Sequence, residues 1–155
     1  MLSLADQVCL AVIGERRTHG WAIVKLLHTD GELGRIWSLS RPLTYRSIDR
    51  LVDLGLIDRS DAGRRAELRI TAAGRRVRRL WLDTPVEHLR DMRTVFLLKL
   101  ALRIRSGIET TELVKNQQRQ LAPAIAALTR CEPVDVVDRW RQESARAVQR
   151  FLDQV

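Results

Sequence analysis

The sequence predicts a mostly α-helical fold with one small β-hairpin, organised as an N-terminal winged helix-turn-helix unit and a C-terminal helical domain. Three observations predict it. The first half reads in the order helix, helix, helix, hairpin, helix, for which a winged helix-turn-helix is the compact solution. The same half carries most of the excess positive charge. The second half shows helical patterns alone, and its acidic and basic residues nearly balance.

The excess positive charge indicates a polyanionic partner. The 155-residue chain has a net charge of +8 and an isoelectric point near 10.8, which favours nucleic acid first and an acidic membrane surface second. Arginines outnumber lysines 24 to 3, so a bias in genomic base composition is an alternative origin of the charge. Residues 35–79 hold 12 arginines and 5 acidic residues, whereas residues 83–155 hold 12 basic and 10 acidic residues. We therefore expect the anion to bind to the first half.

Three helices are predicted before the hairpin. Apolar residues surround most of segment 4–13, which predicts an enclosed central helix. Residues 21–29 predict a second helix, and residues 35–40 predict an extended segment whose last residue, Ser40, can cap the third helix. Gly55 suits the left-handed position that ends this third helix. Its broad apolar arc comprises Leu43, Thr44, Ser47, Ile48, Leu51, Val52 and Leu54, and its polar arc Arg46, Asp49, Arg50 and Asp53.

The hairpin and the helix after it complete the first half. Residues 56–61 and 65–71 are short alternating runs on either side of a turn at Gly63, which predicts a β-hairpin with an arginine-rich tip. Residues 71–82 predict a fourth helix. In a winged helix of this order, the third helix enters the major groove of DNA.

The second half is predicted to be entirely helical. Helices are expected at residues 87–106, 109–130 and 134–155, with Pro123 kinking or dividing the middle one. The last helix has one apolar stripe, formed by Val136, Val137, Trp140, Ser144, Ala147, Val148 and Phe151. Such a stripe suits a dimerisation module better than an independent globule. We therefore divide the chain into a DNA-binding winged helix-turn-helix domain at residues 1–82 and a helical dimerisation domain at residues 83–155.

Four segments, taken in order, resemble a known pattern. THGWAIVKLL opens the second helix, and LSRPLTYRSIDRLVDLGLIDR contains a Ser, a Tyr-Arg pair and a closing Gly-Leu-Ile. LRITAAGRR joins the hairpin to the fourth helix, and TPVEHLRDMRTVFLLKL begins the second half. Together they resemble the PadR family of bacterial transcriptional regulators over the length of the chain. One departure is that Pro42, Leu43 and Thr44 stand where the family has Gly-Thr-Leu, so the base contacts of that first turn do not transfer.

The resemblance implies a homodimeric transcriptional regulator that binds DNA through its winged helix, and often a small-molecule effector. Because many relatives repress transcription, it implies a repressor, and the two-fold symmetry of a dimer implies an operator with an inverted repeat. A winged helix that binds an acidic protein, without reading a DNA sequence, is the alternative function.

The candidate DNA contacts lie on the early part of the third helix and at the hairpin tip. Arginine can read guanine or clamp phosphate, and hydroxyl groups can donate to phosphate. The alternative for the helix is a solvated face with Arg50 paired to Asp53, and for the tip a solvated turn. The predicted contact residues are Ser40, Arg41, Thr44, Tyr45, Arg46, Arg50, Arg64 and Arg65.

Two tryptophans are candidates for binding an effector. Trp81 and Trp140 lie outside the predicted core of the winged helix and could stack on a planar ligand. Burial at an interface is the commoner use of such residues.

No pattern predicts catalysis, a metal site or a cofactor. The three histidines, His19, His28 and His88, have no metal-ligand spacing with Cys9 or Cys131, and no catalytic triad or glycine-rich phosphate loop is evident. We expect both cysteines to be buried and reduced. With no secretion signal or membrane span in the pattern, the expected location is the cytoplasm.

The hairpin tip yields the first testable prediction. Replacing Arg64 and Arg65 together by glutamine should weaken binding to every duplex, because each phosphate contact releases about one counterion. The slope of log affinity against log salt concentration should become shallower by up to about two units. Titrations at several salt concentrations measure it. An unchanged slope would mean that these two arginines do not contact phosphate.

Overall fold

The helix-rich fold with a small hairpin is confirmed. The computed structural model describes residues 1–60 and 66–155. Its helices are α1 (Leu4–Ile13), α2 (Gly20–Leu27), α3 (Arg41–Asp53), α4 (Ala72–Asp83), α5 (Leu97–Arg105), α6 (Thr111–Arg130) and α7 (Val136–Leu152). Its strands are β1 (Thr18–His19), β2 (Ile57–Arg59) and β3 (Glu67–Ile70).

Helix α1 lies at the centre of the first half, as its apolar pattern predicts. Every residue from Val8 to Ile13 is at most 3% exposed. A reciprocal capping box starts the helix, in which the Ser3 hydroxyl accepts from the Asp6 amide and the Asp6 carboxylate accepts from the Ser3 amide. Helices α3, α4 and α5 and strand β3 pack around it. Burial, together with nearby Asp6, raises the pKa of the Cys9 thiol to about 12.

The predicted hairpin forms and belongs to a three-stranded antiparallel sheet. The strand order is β1-β3-β2, with Arg59 opposite Leu68 and Thr18 also opposite Leu68 on the other side. Strand β1 is not predicted from the sequence, because two residues show no periodicity. Gly55, with φ of +65°, turns the chain from α3 into the hairpin, as predicted.

The segment between α2 and α3 differs from its prediction. Helix α2 ends at Leu27, two residues earlier than expected, and residues 35 and 36 lie in turns rather than in an extended segment. The Leu39 amide donates to the Leu27 carbonyl at 2.9 Å. This bond brings the start of α3 back beside the end of α2.

The first helix of the second half is less regular than predicted. A 3₁₀ turn at Leu89–Asp91 and a π-helical turn at Met92–Phe96 precede α5. Opposite sides of α5, which begins just after Phe96, pack into different hydrophobic clusters. Leu98 and Leu102 pack into the cluster around α1, whereas Phe96 and Leu100 pack with α6 and α7. The two halves of the chain therefore share this helix.

Helix α6 runs unbroken through Pro123, so the prediction that this proline could divide it is wrong. Its buried Gln117 accepts from the Val86 amide at 2.7 Å and donates to the Val86 carbonyl at 2.9 Å. That pair of bonds satisfies an isolated backbone unit in the linker before α5. The prediction for Cys131 is also wrong, since this cysteine lies exposed just after α6.

Four basic side chains on α4 and α5 bond neighbouring segments of the chain. The Lys99 ammonium donates to the Thr84 carbonyl and lies 5.3 Å from the centre of the Trp81 ring. Arg103 bonds Asp83 and the Glu109 carbonyl. The two others link more distant segments: Arg78 donates to the Ala11 carbonyl and the Ser106 hydroxyl, and Arg105 pairs with Glu15 and Glu32.

Lys99 provides a prediction about pH. The residue is 3% exposed, and burial lowers the pKa of its ammonium from 10.5 to about 8. Below pH 8 the ammonium is charged in both folded and unfolded chains, so the burial cost is present in full. Between about pH 8 and 10.5 the unfolded chain holds more protons, so this contribution to stability improves as the pH rises.

The difference in unfolding free energy between wild type and Lys99→Met should therefore change in favour of wild type across this pH range. Urea denaturation of both proteins at pH 7, 8, 9 and 10 measures the difference. Taking the difference cancels the titration of Cys9 and other shared groups. A constant difference would show that Lys99 keeps an ordinary pKa in the folded protein.

Candidate nucleic-acid interface

Helix α3 has one buried and one exposed face, and the exposed face carries the charged residues. Its inward side chains are Thr44, Ser47, Ile48 and Leu51, each at most 5% exposed. They pack against α1 and α2. The exposed face carries Arg41, Arg46, Asp49, Arg50 and Asp53. Packing of the inner face thus fixes which side of the helix meets the solvent.

The first turn of α3 is held by backbone and ring contacts. Ser40 occupies the N-cap position, but its side chain makes no capping bond and lies exposed. Tyr45 is half-buried, and its ring covers Gly20 so closely that an added Cβ would lie 2.7 Å from a ring carbon. The Arg41 guanidinium lies 5.8 Å from the centre of the same ring. Gly20 therefore permits α2 and α3 to approach at this turn.

Two of the predicted contact residues, Thr44 and Arg50, bond other groups of the protein. Thr44 is fully buried, and its hydroxyl donates to the Ser40 carbonyl at 3.0 Å, so a contact from Thr44 to DNA is not compatible with this packing. Arg50 turns away from the early part of the helix: its guanidinium lies 3.6 Å from the buried Asp6 carboxylate and donates to the Met1 carbonyl. The alternative pairing of Arg50 with Asp53 does not form, and because the Arg50 side chain is 53% exposed, its contact with DNA stays a prediction.

Arg46 and Arg41 remain on the exposed face without a carboxylate partner among residues 1–60 and 66–155. Arg41 is the first residue of α3, and Arg46 lies in its second turn. The exposed amides at the start of α3 add a partial positive charge beside them. This end of the helix can bind an anion or donate hydrogen bonds to base edges.

The hairpin lies beside the exposed face of α3. Arg59, on β2, forms an ion pair with Asp49 on the exposed face of α3. At the last described rung, the Ser60 amide donates to the Glu67 carbonyl and the Ser60 hydroxyl accepts from the Glu67 amide. The predicted contacts Arg64 and Arg65 lie outside the described residues.

A cleft of about 600 Å³ separates α2, α3 and the sheet. It is lined by Gly20, Trp21, Arg41, Tyr45, Ile48, Arg59, Ala66 and Leu68. Trp21 is 56% exposed and has the Lys25 ammonium 5.4 Å from its ring centre. Trp21 and Arg59 are not among the contact residues predicted from the sequence. The exposed tryptophan at the start of a short helix was the available signal for the first, whereas Arg59 is placed there by the strand register alone.

The two tryptophans predicted to bind an effector lie in different surroundings. Trp81 is half-buried beneath Lys99 and packs against the cluster around α1. Trp140 is 73% exposed and borders a cleft of about 560 Å³ between α7 and the segment before α5. Three arginines, Arg90, Arg93 and Arg141, share that cleft with an apolar floor. Trp140 therefore has space beside it for a ligand, whereas Trp81 already packs internally.

Comparison with known proteins identifies the fold. No family model and no curated protein matches the chain. Among solved structures, Bacillus subtilis PadR in complex with operator DNA matches 99% of this chain and 98% of its own, at 17% identity and a TM-score of 0.52. The Vibrio cholerae virulence activator AphA matches at 21% identity, 97% and 92% coverage, and a TM-score of 0.47. PadR in complex with p-coumaric acid matches at 18% identity, 99% and 96% coverage, and a TM-score of 0.45.

The class defined by the fold is therefore a winged helix-turn-helix protein with a helical C-terminal half. Over nearly the whole chain it is the fold of PadR, which confirms the resemblance inferred from the four sequence segments at the level of fold. Within the described ranges 1–60 and 66–155, no helix combines the length and apolar character needed to cross a bilayer.

Proposed function

We propose that this protein is a transcriptional regulator that binds double-stranded DNA and reads its sequence with α3. The observation that carries the proposal is the exposed pair Arg41 and Arg46, which projects from a helix whose opposite face is locked into the core. Arginine is the side chain that most often reads guanine, through two hydrogen bonds in the major groove. The helix is held rigidly enough to present this group at a fixed position.

The surroundings of α3 support a polyanionic ligand. The net charge of residues 35–79 is strongly positive, and Trp21, Lys25 and Arg59 border the same surface. Ser40 and Tyr45 lie near the start of α3, where hydroxyl groups can donate to backbone phosphates. In a solved structure that shares the fold at a TM-score of 0.52, Bacillus subtilis PadR is in complex with operator DNA. Binding rather than catalysis is the function that this surface supports, and we place the regulator with DNA in the cytoplasm.

A homodimer is part of the proposal. One stripe of α7 carries three exposed apolar residues: Val136 is 80% exposed, Val137 is 50% exposed and Trp140 is 73% exposed. The opposite side of α7 is already occupied, since Ala145 and Leu152 pack on α6. Covering the stripe with a second copy would remove a large apolar patch from water. Two winged helices about 34–36 Å apart would then read an inverted repeat.

Repression and release by an effector complete the proposed mechanism. Repression is the sign of regulation that the PadR-like sequence segments imply. We place the effector in the cleft at the edge of the stripe that the second copy would cover, because the cleft offers an apolar floor, the Trp140 ring and three guanidinium groups. Trp81 has no part in that site, because its ring packs against Lys99.

Arg46 and Arg50 form a matched pair for testing the reading helix. Arg46→Ala should keep the stability of wild type and lose about 1–3 kcal/mol of discrimination at one base position. Arg50→Ala should keep the base preference and lose about 1 kcal/mol of stability or less, because Arg50 is half exposed and pairs with Asp6. Selection of bound duplexes from a random library, with thermal denaturation of each protein, measures both effects.

Identical selected sequences for wild type and Arg46→Ala would contradict base reading by α3. A changed base preference for Arg50→Ala would show that Arg50 contacts bases as well as pairing with Asp6. If wild type selects no sequence at all, the proposed function itself is wrong.

The dimer has a separate test. Trp140→Glu places a charge on the exposed stripe without touching the α6 contact, so the protein should stay folded and become monomeric. Arg139→Glu, on the polar face of the same helix, should remain dimeric. Sedimentation equilibrium and far-ultraviolet circular dichroism measure mass and helix content. A dimeric Trp140→Glu protein would show that this stripe is not the interface.

A further inference from the structure

The ion pair between Asp49 and Arg59 joins the reading helix to the wing, defined as the β2–β3 hairpin. We propose that this pair is a positioning device, which sets the angle of the wing relative to α3 so that both engage one duplex together. It rests on the proposed function, because it names residues through which the same DNA-binding surface is organised. Asp49 and Arg59 act through the wing and not by contacting bases.

The base of the wing is fixed by backbone contacts. Only Leu54, Gly55 and Leu56 separate α3 from β2. At the other strand, the Thr71 amide donates to the Leu56 carbonyl at 3.0 Å, and the Thr71 hydroxyl donates to the Gly55 carbonyl at 2.8 Å. These bonds anchor the wing at the end next to α3, and Arg59 lies at the opposite end of β2.

The two edges of the wing are held differently. On the β3 side, strand β1 pairs with the hairpin, and the His19 Nδ1 atom lies 3.2 Å from the Ala66 carbonyl oxygen. Strand β2 is the outer strand of the hairpin, because the sheet order is β1-β3-β2 and β3 lies in the middle. In the described part of the chain, the side-chain ion pair that ties this outer strand to α3 is Arg59 with Asp49. Arg59 also borders the cleft between the wing and α3.

The position of Asp49 is difficult to explain without this tie. The carboxylate is 59% exposed and lies on the face of α3 that carries Arg46. A free carboxylate there would repel phosphate, and an exposed ion pair contributes little to the stability of a fold. Asp53, on the same helix, has no ion-pair partner among residues 1–60 and 66–155. It is therefore a matched control for the charge of Asp49.

Charge alone and positioning predict opposite results for Asp49→Asn. If only charge matters, removing a carboxylate from a DNA-binding face strengthens binding to every duplex. If the pair positions the wing, affinity for the selected duplex should fall roughly threefold to fivefold, which is about what one exposed ion pair supplies. The salt slope should also become shallower by about one unit, because the wing loses phosphate contacts. Asp53→Asn should bind as tightly as wild type or more tightly.

The experiment compares full-length wild type, Asp49→Asn, Arg59→Gln, their double variant and Asp53→Asn. Each protein is titrated at several salt concentrations against a duplex that wild type selects from a random library, and against a pool of random-sequence duplexes. Thermal denaturation of each protein establishes that the fold is kept. The double variant should bind no more weakly than Arg59→Gln alone, since both substitutions break the same tie.

Three results would overturn the proposal. Asp49→Asn could bind like Asp53→Asn, its salt slope could equal that of wild type, or the losses of the two single variants could add in the double variant. Additive losses would mean that Arg59 acts on DNA independently of Asp49. Failure of the proposed function looks different: wild type would bind the selected duplex and the random pool equally. The salt slopes on the random pool would still decide whether the tie positions the wing.

Discussion

The enclosure of α1 is the constraint on which the rest of the first half depends. Six consecutive residues, Val8 to Ile13, are buried, which requires neighbours on every side of the helix. Helices α3, α4 and α5 and strand β3 provide them. Because α3 must bury Ile48 and Leu51 against α1, its remaining face has a fixed direction. The exposed arginines at its start are therefore a consequence of core packing as well as of local sequence.

Helix α5 packs into two hydrophobic clusters and so connects the first half of the chain to the second. Leu98 and Leu102 belong to the cluster around α1, and Phe96 and Leu100 to the cluster with α6 and α7. Lys99 and Arg103 add polar bonds to the end of α4. A change in the packing of α6 or α7 would thus reach the winged helix through one rigid element. This arrangement suits a regulator whose C-terminal half sets the spacing of two DNA-binding units.

Periodicity was sufficient to predict the elements that bury one continuous face. The inner face of α3, the hairpin and the last helix all follow from spacing of apolar residues, turn residues and caps. Thr44 was misassigned because a polar residue on an apolar arc has two readings, contact or burial with an internal hydrogen bond. The hydroxyl bond to Ser40 decides for burial. The ion pair of Arg50 was not predicted, because its partner, Asp6, lies 44 residues earlier in the chain and is brought close only by the packing of α1 on α3.

The short and irregular elements show no sequence pattern as clear as the apolar periodicity of the longer ones. Strand β1 has two residues and depends on β3 for its hydrogen bonds. The π-helical turn at Met92–Phe96 has the composition of an ordinary helix. Helix α6 continues through exposed Pro123, and Leu121 and Ile125 on either side of it are buried, so burial of the apolar face outweighs the loss of one backbone hydrogen bond. The Asp49–Arg59 tie crosses a turn whose geometry depends on Gly55, so neither residue indicates the other by spacing.

Hydroxyl-radical footprinting of the protein on a duplex that it selects tests the central account most directly, because it locates the contacts along the DNA backbone. The account predicts two protected patches on one face of the duplex, centred about one helical turn, or roughly 34–36 Å, apart and related by two-fold symmetry. Each patch should surround a major-groove segment occupied by one α3. A single unsymmetrical patch, or uniform protection without a preferred position, would contradict a symmetric dimer that reads DNA with this helix.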